Sequence, residues 1–189
     1  MSYLSEKLKD IFFRYTIMIL VAIPNFWIFY FIFAPLTIYP IYFILGLFFE
    51  VTLYQNIILV SKQFSIEFID ACIAGTAYYL LFILNISTPN ITLKKRTKMI
   101  LFSFAVFLII NLIRILILSL LFINGSSFFD VTHKVFWYLG NLVFVAAIWF
   151  TEVKLFKIKE IPFYTDIKFF FNLVKKSKKT KGSKKNKKP

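Results

Sequence analysis

Three side chains in this sequence add up to a reaction: Cys72, Arg114 and His133. A thiolate nucleophile, an imidazole to move a proton and a guanidinium to neutralise a developing oxyanion form a complete set for acyl transfer. Each also has a plainer reading. Cys72 is the single cysteine of the chain, and a cysteine in an apolar stretch is most often an inert packing residue. His133 is the single histidine, and a lone histidine at a membrane edge is commonly an interfacial residue. Arg114 interrupts an otherwise uncharged run from Met99 to Phe129, where a charge costs at least about 2.5 kcal/mol unless it faces a partner, a cavity or, by snorkelling, water. Asn111 lies three residues before it, on the same helical face, which sets two polar groups side by side in apolar surroundings.

Competing chemistries are thin. One cysteine and one histidine exclude an intrachain disulfide and a Cys/His zinc site, and no carboxylate pair, glycine-rich phosphate loop or nucleophilic-serine motif is present. Neither a metal nor a cofactor is expected.

The elements that must hold these residues are apolar. Of 189 residues, 59% are hydrophobic and 21% aromatic, yet the formal net charge is +14, a combination that one soluble core cannot accommodate. No charged residue or histidine occurs from Tyr15 to Phe49 or from Ala71 to Leu93. Stretches of that length read as membrane spans. The predicted fold is therefore an all-α, polytopic membrane bundle of about four to five spans, with helices at 15–33, 36–49, 72–88, 99–123 and 133–151 bounded by Pro, polar residues or charge. Between Glu50 and Asp70 the β-branched run Val51–Val60 and the alternating Phe64, Ile66, Phe68 flank a polar Ser61-Lys62-Gln63, so 51–69 reads as a short β-hairpin or an interfacial segment. Cys72 is expected at the N-terminus of its span, where free amides and the helix dipole favour a thiolate, and Asp130 is expected to cap the helix that carries His133.

Charge orders the chain along the membrane normal. A polar leader, 1–14, precedes a transmembrane core, 15–153, and a basic tail, 154–189, expected to be cytoplasmic and to be disordered from Lys175 onward. The first apolar run lacks a small-residue cleavage site, so it is expected to stay in place. The cluster Lys94-Lys95-Arg96-Thr97-Lys98 and the tail are separated by two spans and share the cytoplasmic side, which puts Cys72, the 124–130 loop and His133 toward the outside. The Lys7, Lys9, Arg14 cluster also prefers the inside, which two full crossings before Cys72 would contradict; a broken helix or half-span at 36–49 resolves the parity. The tail reads first as a topology signal and second as a surface for anionic headgroups or RNA; membrane lipids are the expected partners, and no nucleic acid.

The order of these features resembles the core of the archaeosortase/exosortase family. Cys72, the Lys94-Lys95-Arg96 cluster, Asn111-Leu-Ile-Arg114-Ile115, then His133 and an apolar helix with Trp137 and Trp149 follow one another over about residues 50–151. Gly75 stands one place later than the glycine that usually follows the family's cysteine. The resemblance implies a multi-pass membrane cysteine transpeptidase or protease acting at the outer face. Its implied substrates are exported proteins ending in a short motif, a transmembrane helix and a basic cluster, and its acyl acceptor is a lipid amine or water. By resemblance Cys72 is nucleophile, Arg114 stabilises the oxyanion and His133 is general acid/base, with Asn111 and Asp130 in support. A non-enzymatic membrane scaffold or small transporter subunit, in which Arg114 and Asn111 merely hold helices together, is the other reading.

The charge bias predicts that residue 95 faces the cytoplasm and residue 127 the exterior. In intact cells a membrane-impermeant thiol reagent should modify Ser127→Cys and spare Lys95→Cys; the reverse pattern inverts the topology.

Overall fold

Helices that are apolar on every face can bury one another or face hydrocarbon, and the computed structural model, which describes residues 2–24 and 26–185, is built of such helices around one small sheet. Helix α1 (Ser2–Ala22) carries the polar leader and the first apolar run as one element, and α2 (Trp27–Gly46) follows. The break falls at Pro24, with Phe26 in the left-handed region at φ 60°, rather than between 33 and 36 as proline placement suggested. Pro35 and Pro40 both lie inside α2 without ending it. A proline removes one ladder bond, and close packing on neighbouring helices offsets that loss. Arg14 of α1 reaches the carbonyl of Ser87, the Met18 carbonyl accepts from Tyr79, and Phe33 of α2 stacks on Tyr78 at 3.5 Å. Taken together, α1 and α2 run along one neighbour as a single broken helix.

That neighbour is itself broken. The expected 72–88 helix resolves into a one-turn helix, α3 (Asp70–Ile73), and α4 (Gly75–Ser87), because Ala74 between them adopts φ 57°. At Gly75 a Cβ would lie 2.7 Å from the Tyr30 ring, so a larger residue there requires that ring to move.

Between α2 and α3 the chain makes a three-stranded antiparallel meander in place of a two-stranded hairpin. The run Val51–Val60 folds on itself at Gln55 (φ 52°) to give β1 (Val51–Tyr54) and β2 (Ile57–Val60), and the polar turn at 61–63 leads into β3 (Phe64–Glu67). Register places Val51 opposite Val60 and Leu53 opposite Ile58, then Ile58 opposite Ile66 and Val60 opposite Phe64. That apolar face packs on Ile38, Ile41 and Leu45 of α2 and on Ile115.

Helix α5 (Leu93–Ile123) begins earlier than expected and takes in the basic cluster as its first turns. The last apolar helix is continuous from 129 to 155 but divided: α6 (Phe129–Val135), a π-helical turn at Phe136–Gly140, then α7 (Asn141–Leu155). Beyond it α8 (Tyr164–Lys185) is helical through most of the segment whose composition suggested disorder; 186–189 lie outside the described residues. Lysine is a good helix former, and the apolar first half of α8 supplies contacts from which the helix can propagate. Among the described residues, three segments are long and apolar enough to cross a membrane: α2, the α3–α4 unit and α5.

At the end of the bundle remote from the sheet, buried polar groups join the helices. Arg14 binds both carboxylate oxygens of Asp166 at 3.0 Å, Asp10 at 2.9 Å and the Ser87 carbonyl at 2.8 Å. Arg96 donates to the carbonyls of Asn85 (2.8 Å), Ile86 and Thr88 (3.0 Å), closing the C-terminus of α4. Asn85 also donates to Glu152 at 3.1 Å.

Removing one partner of a buried ion pair costs about 3–5 kcal/mol because the other charge is stranded. Asp166→Ala should lower thermal stability in detergent accordingly, and Arg14→Met with Asp166→Leu should be less damaging than the two single changes added together. Strict additivity would mean that the pair is not coupled.

Candidate active site

Asn111 and Arg114 sit three residues apart on α5, so both point from one face of that helix. That face meets α3. Asn111 Nδ2 donates to the carbonyl of Cys72 at 2.9 Å, and Arg114 Nη2 makes longer contacts of 3.4 Å to the carbonyls of Ala71 and Cys72. The polar pair singled out in the sequence thus holds the backbone of the cysteine itself. Arg114 Nη1 donates to Asn141 Oδ1 at 2.7 Å, and its Nε is buried with no partner among the described residues.

Asn141, the first residue of α7, went unremarked in the sequence. Its signal was available, because it is the one amide in the apolar stretch from Val135 to Phe150, and a polar group in such a stretch is retained for a partner.

Cys72 is expected from the sequence to open its helix, and that boundary is corrected. α3 starts two residues earlier, at Asp70, and the Cys72 amide already donates to the Ile69 carbonyl at 2.9 Å. Cys72 therefore stays within the first turn of α3, and the nearby cation is Arg114.

Cys72, Arg114 and His133 line one cavity of about 470 Å³. Its walls come from β3 and the strand end at Phe68, from α3, from α5 between Arg114 and Phe122, and from α6 with the π-helical turn. Cys72 is half-buried, Arg114 buried and His133 exposed. The imidazole stacks on Phe129 with centroids 5.5 Å apart and meets Trp137 edge-on at 6.0 Å. Among the described residues no hydrogen bond joins the Cys72 thiol to the His133 ring, so the fold brings the pair to one cavity without joining them. Most of the wall is apolar, with Glu67, Asp70, Ser65 and Ser119 as further polar members.

Asp130 does not cap α6. The N-cap is Phe128, whose amide donates to Ser126 Oγ at 3.3 Å, and Asp130 lies within the first turn and outside the cavity wall. Its carboxylate still favours the helix dipole from there. Among the described residues no cluster of His, Cys, Asp and Glu is suited to a metal ion.

Asn141→Leu strands a charged donor of Arg114 in an apolar site, at a cost of about 1–3 kcal/mol. Thermal unfolding in detergent should register it, and Asn141→Asp, which keeps an acceptor, should retain most of the stability. An unshifted melting curve for Asn141→Leu would show that the contact carries no weight.

No protein family matches the chain, and neither does any curated protein or solved structure.

Proposed function

We propose that this chain is a multi-pass membrane cysteine transpeptidase or protease of the archaeosortase/exosortase kind, acting on C-terminal sorting signals of exported proteins at the outer face of the cell membrane. The observation that carries the proposal is the shared cavity of Cys72, Arg114 and His133, with the guanidinium bound to the backbone of the cysteine. Four crossings fit the contacts: the broken α1–α2 helix outward, α3–α4 inward, α5 outward and α6–α7 inward. Both the basic start of α5 and the lysine-rich α8 then lie in the cytoplasm, and the sheet lies outside. This arrangement also meets the parity requirement set by the N-terminal charges.

The reaction needs no group from outside the chain and its substrates. Cys72 yields its proton to His133, and the thiolate attacks the scissile carbonyl carbon, forming a C–S bond while the carbonyl π electrons move to oxygen. Arg114, in the wall of the cavity, is the cation suited to that oxyanion. Collapse breaks the C–N bond, and His133 returns the proton to the departing amine. An amine, on a lipid or elsewhere, then gives a proton to His133 as it attacks the thioester, and the C–S bond breaks to release the Cys72 thiolate; water in its place makes the enzyme a protease. The apolar cavity wall suits a substrate presented from the membrane.

One observation favours the scaffold reading: both Nη atoms of Arg114 are engaged in joining α5 to α3 and α7, as those of a structural arginine would be.

Processing of a co-expressed substrate with a motif, helix and basic end, normalised to enzyme in the membrane, separates the readings. Cys72→Ala should abolish cleavage and the covalent thioester. Arg114→Lys should fail as well, because an ammonium lacks the planar array of donors. His133→Ala should slow acylation by about 10²–10⁴-fold, and combined with Cys72→Ala should add little. Near-normal processing by Cys72→Ala would end the enzymatic reading and leave the scaffold.

A further inference from the structure

Beyond Asp166 every ionisable residue of the chain is a lysine. The helix that carries these lysines is firmly attached at its start. Asp166 is buried against Arg14, the Tyr15 hydroxyl donates to it at 3.4 Å, and the Lys7 ammonium lies 4.4 Å from the centroid of the Phe169 ring. Asp166, Phe169 and Leu173, at the spacing of one helical face, are less exposed than their neighbours and turn toward the protein.

The other face is bare. Tyr164, Ile167 and Phe171 are 56%, 53% and 74% exposed, and Phe170 is exposed beside them. Lys168 and Lys175 stand exposed among these apolar groups. Water alone does not suit such a face, and neither does hydrocarbon alone. A helix with bulky apolar residues on one side, dense lysine and no carboxylate in its outer part matches the headgroup–acyl boundary of an anionic leaflet, where phosphates meet the lysines and the rings enter the acyl edge. Nucleic acid would satisfy the lysines and leave Phe171 in water.

We propose that α8 is an interfacial helix that binds anionic phospholipid, with the Arg14–Asp166 ion pair as its fixed point on the bundle. The proposal rests on the membrane reading of the bundle and is independent of the enzymatic one.

The test uses the full chain carrying Cys72→Ser and Phe171→Cys, labelled with a nitroxide at 171 and reconstituted in nanodiscs of phosphatidylcholine alone or mixed with phosphatidylglycerol. In the anionic discs the label should collide severalfold more with oxygen than with a water-soluble nickel chelate, and that preference should fall in pure phosphatidylcholine or in high salt. Replacing Lys168, Lys175, Lys176 and Lys178 with Gln should remove the dependence on phosphatidylglycerol and leave the melting temperature of the bundle in place. A label equally open to the nickel chelate in both lipids overturns the proposal, and so does protection by added RNA in place of phosphatidylglycerol. A chain that washes out of native membranes at alkaline pH fails earlier and overturns the membrane reading itself.

Discussion

A helix that ends or kinks inside an apolar bundle leaves backbone carbonyls with no water to bind, and each must find a donor within the protein. This fold breaks its helices repeatedly, and the chain's three arginines answer that need. Arg96 closes the carbonyls at the end of α4, Arg14 takes the Ser87 carbonyl, and Arg114, helped by Asn111, takes those of α3. All three are buried, whereas no lysine up to Lys175 is. A planar guanidinium offers several donors in fixed directions and is weakly hydrated, so it serves several carbonyls at once, while a strongly hydrated ammonium stays at the surface.

The same requirement shapes the chemistry proposed for the cavity. The one-turn α3 contributes few hydrogen bonds of its own, so the position of Cys72 depends on α5 through its carbonyl and on α7 through Asn141. Two other segments thereby hold one residue. A backbone held in this way moves little when a substrate arrives, which is a condition for a precise attack geometry.

The candidate site was legible in the sequence to the extent that it depended on local spacing. Asn111 and Arg114 share a helical face at any helix boundary, and their isolation among apolar residues marked them. The alternation in Phe64–Phe68 likewise admitted a hairpin strand there, beside an interfacial segment. What escaped was decided by tertiary contacts. Proline placement pointed to a break before Pro35, but packing absorbed both Pro35 and Pro40, and the break settled at Pro24 and Phe26. The left-handed turn at Ala74 has no glycine to announce it, and the π-helical turn has no local signature at all. Arg14 and Arg96 were read with the lysines as a sum of positive charge, and a sum of charge cannot tell a buried guanidinium from a solvated ammonium. Composition also concealed α8, because a lysine-rich segment reads as disorder until a docking point such as Asp166 is visible.

The pairing of Arg14 with Asp166 joins residues 152 positions apart, the first helix to the last described one. During synthesis α1 is complete long before its partner exists, so for most of the time the chain is being made Arg14 has only the exposed Asp10 to balance it. Until α8 emerges, that end of the bundle lacks the buried partner of Arg14, and a chain shortened before Asp166 lacks it permanently.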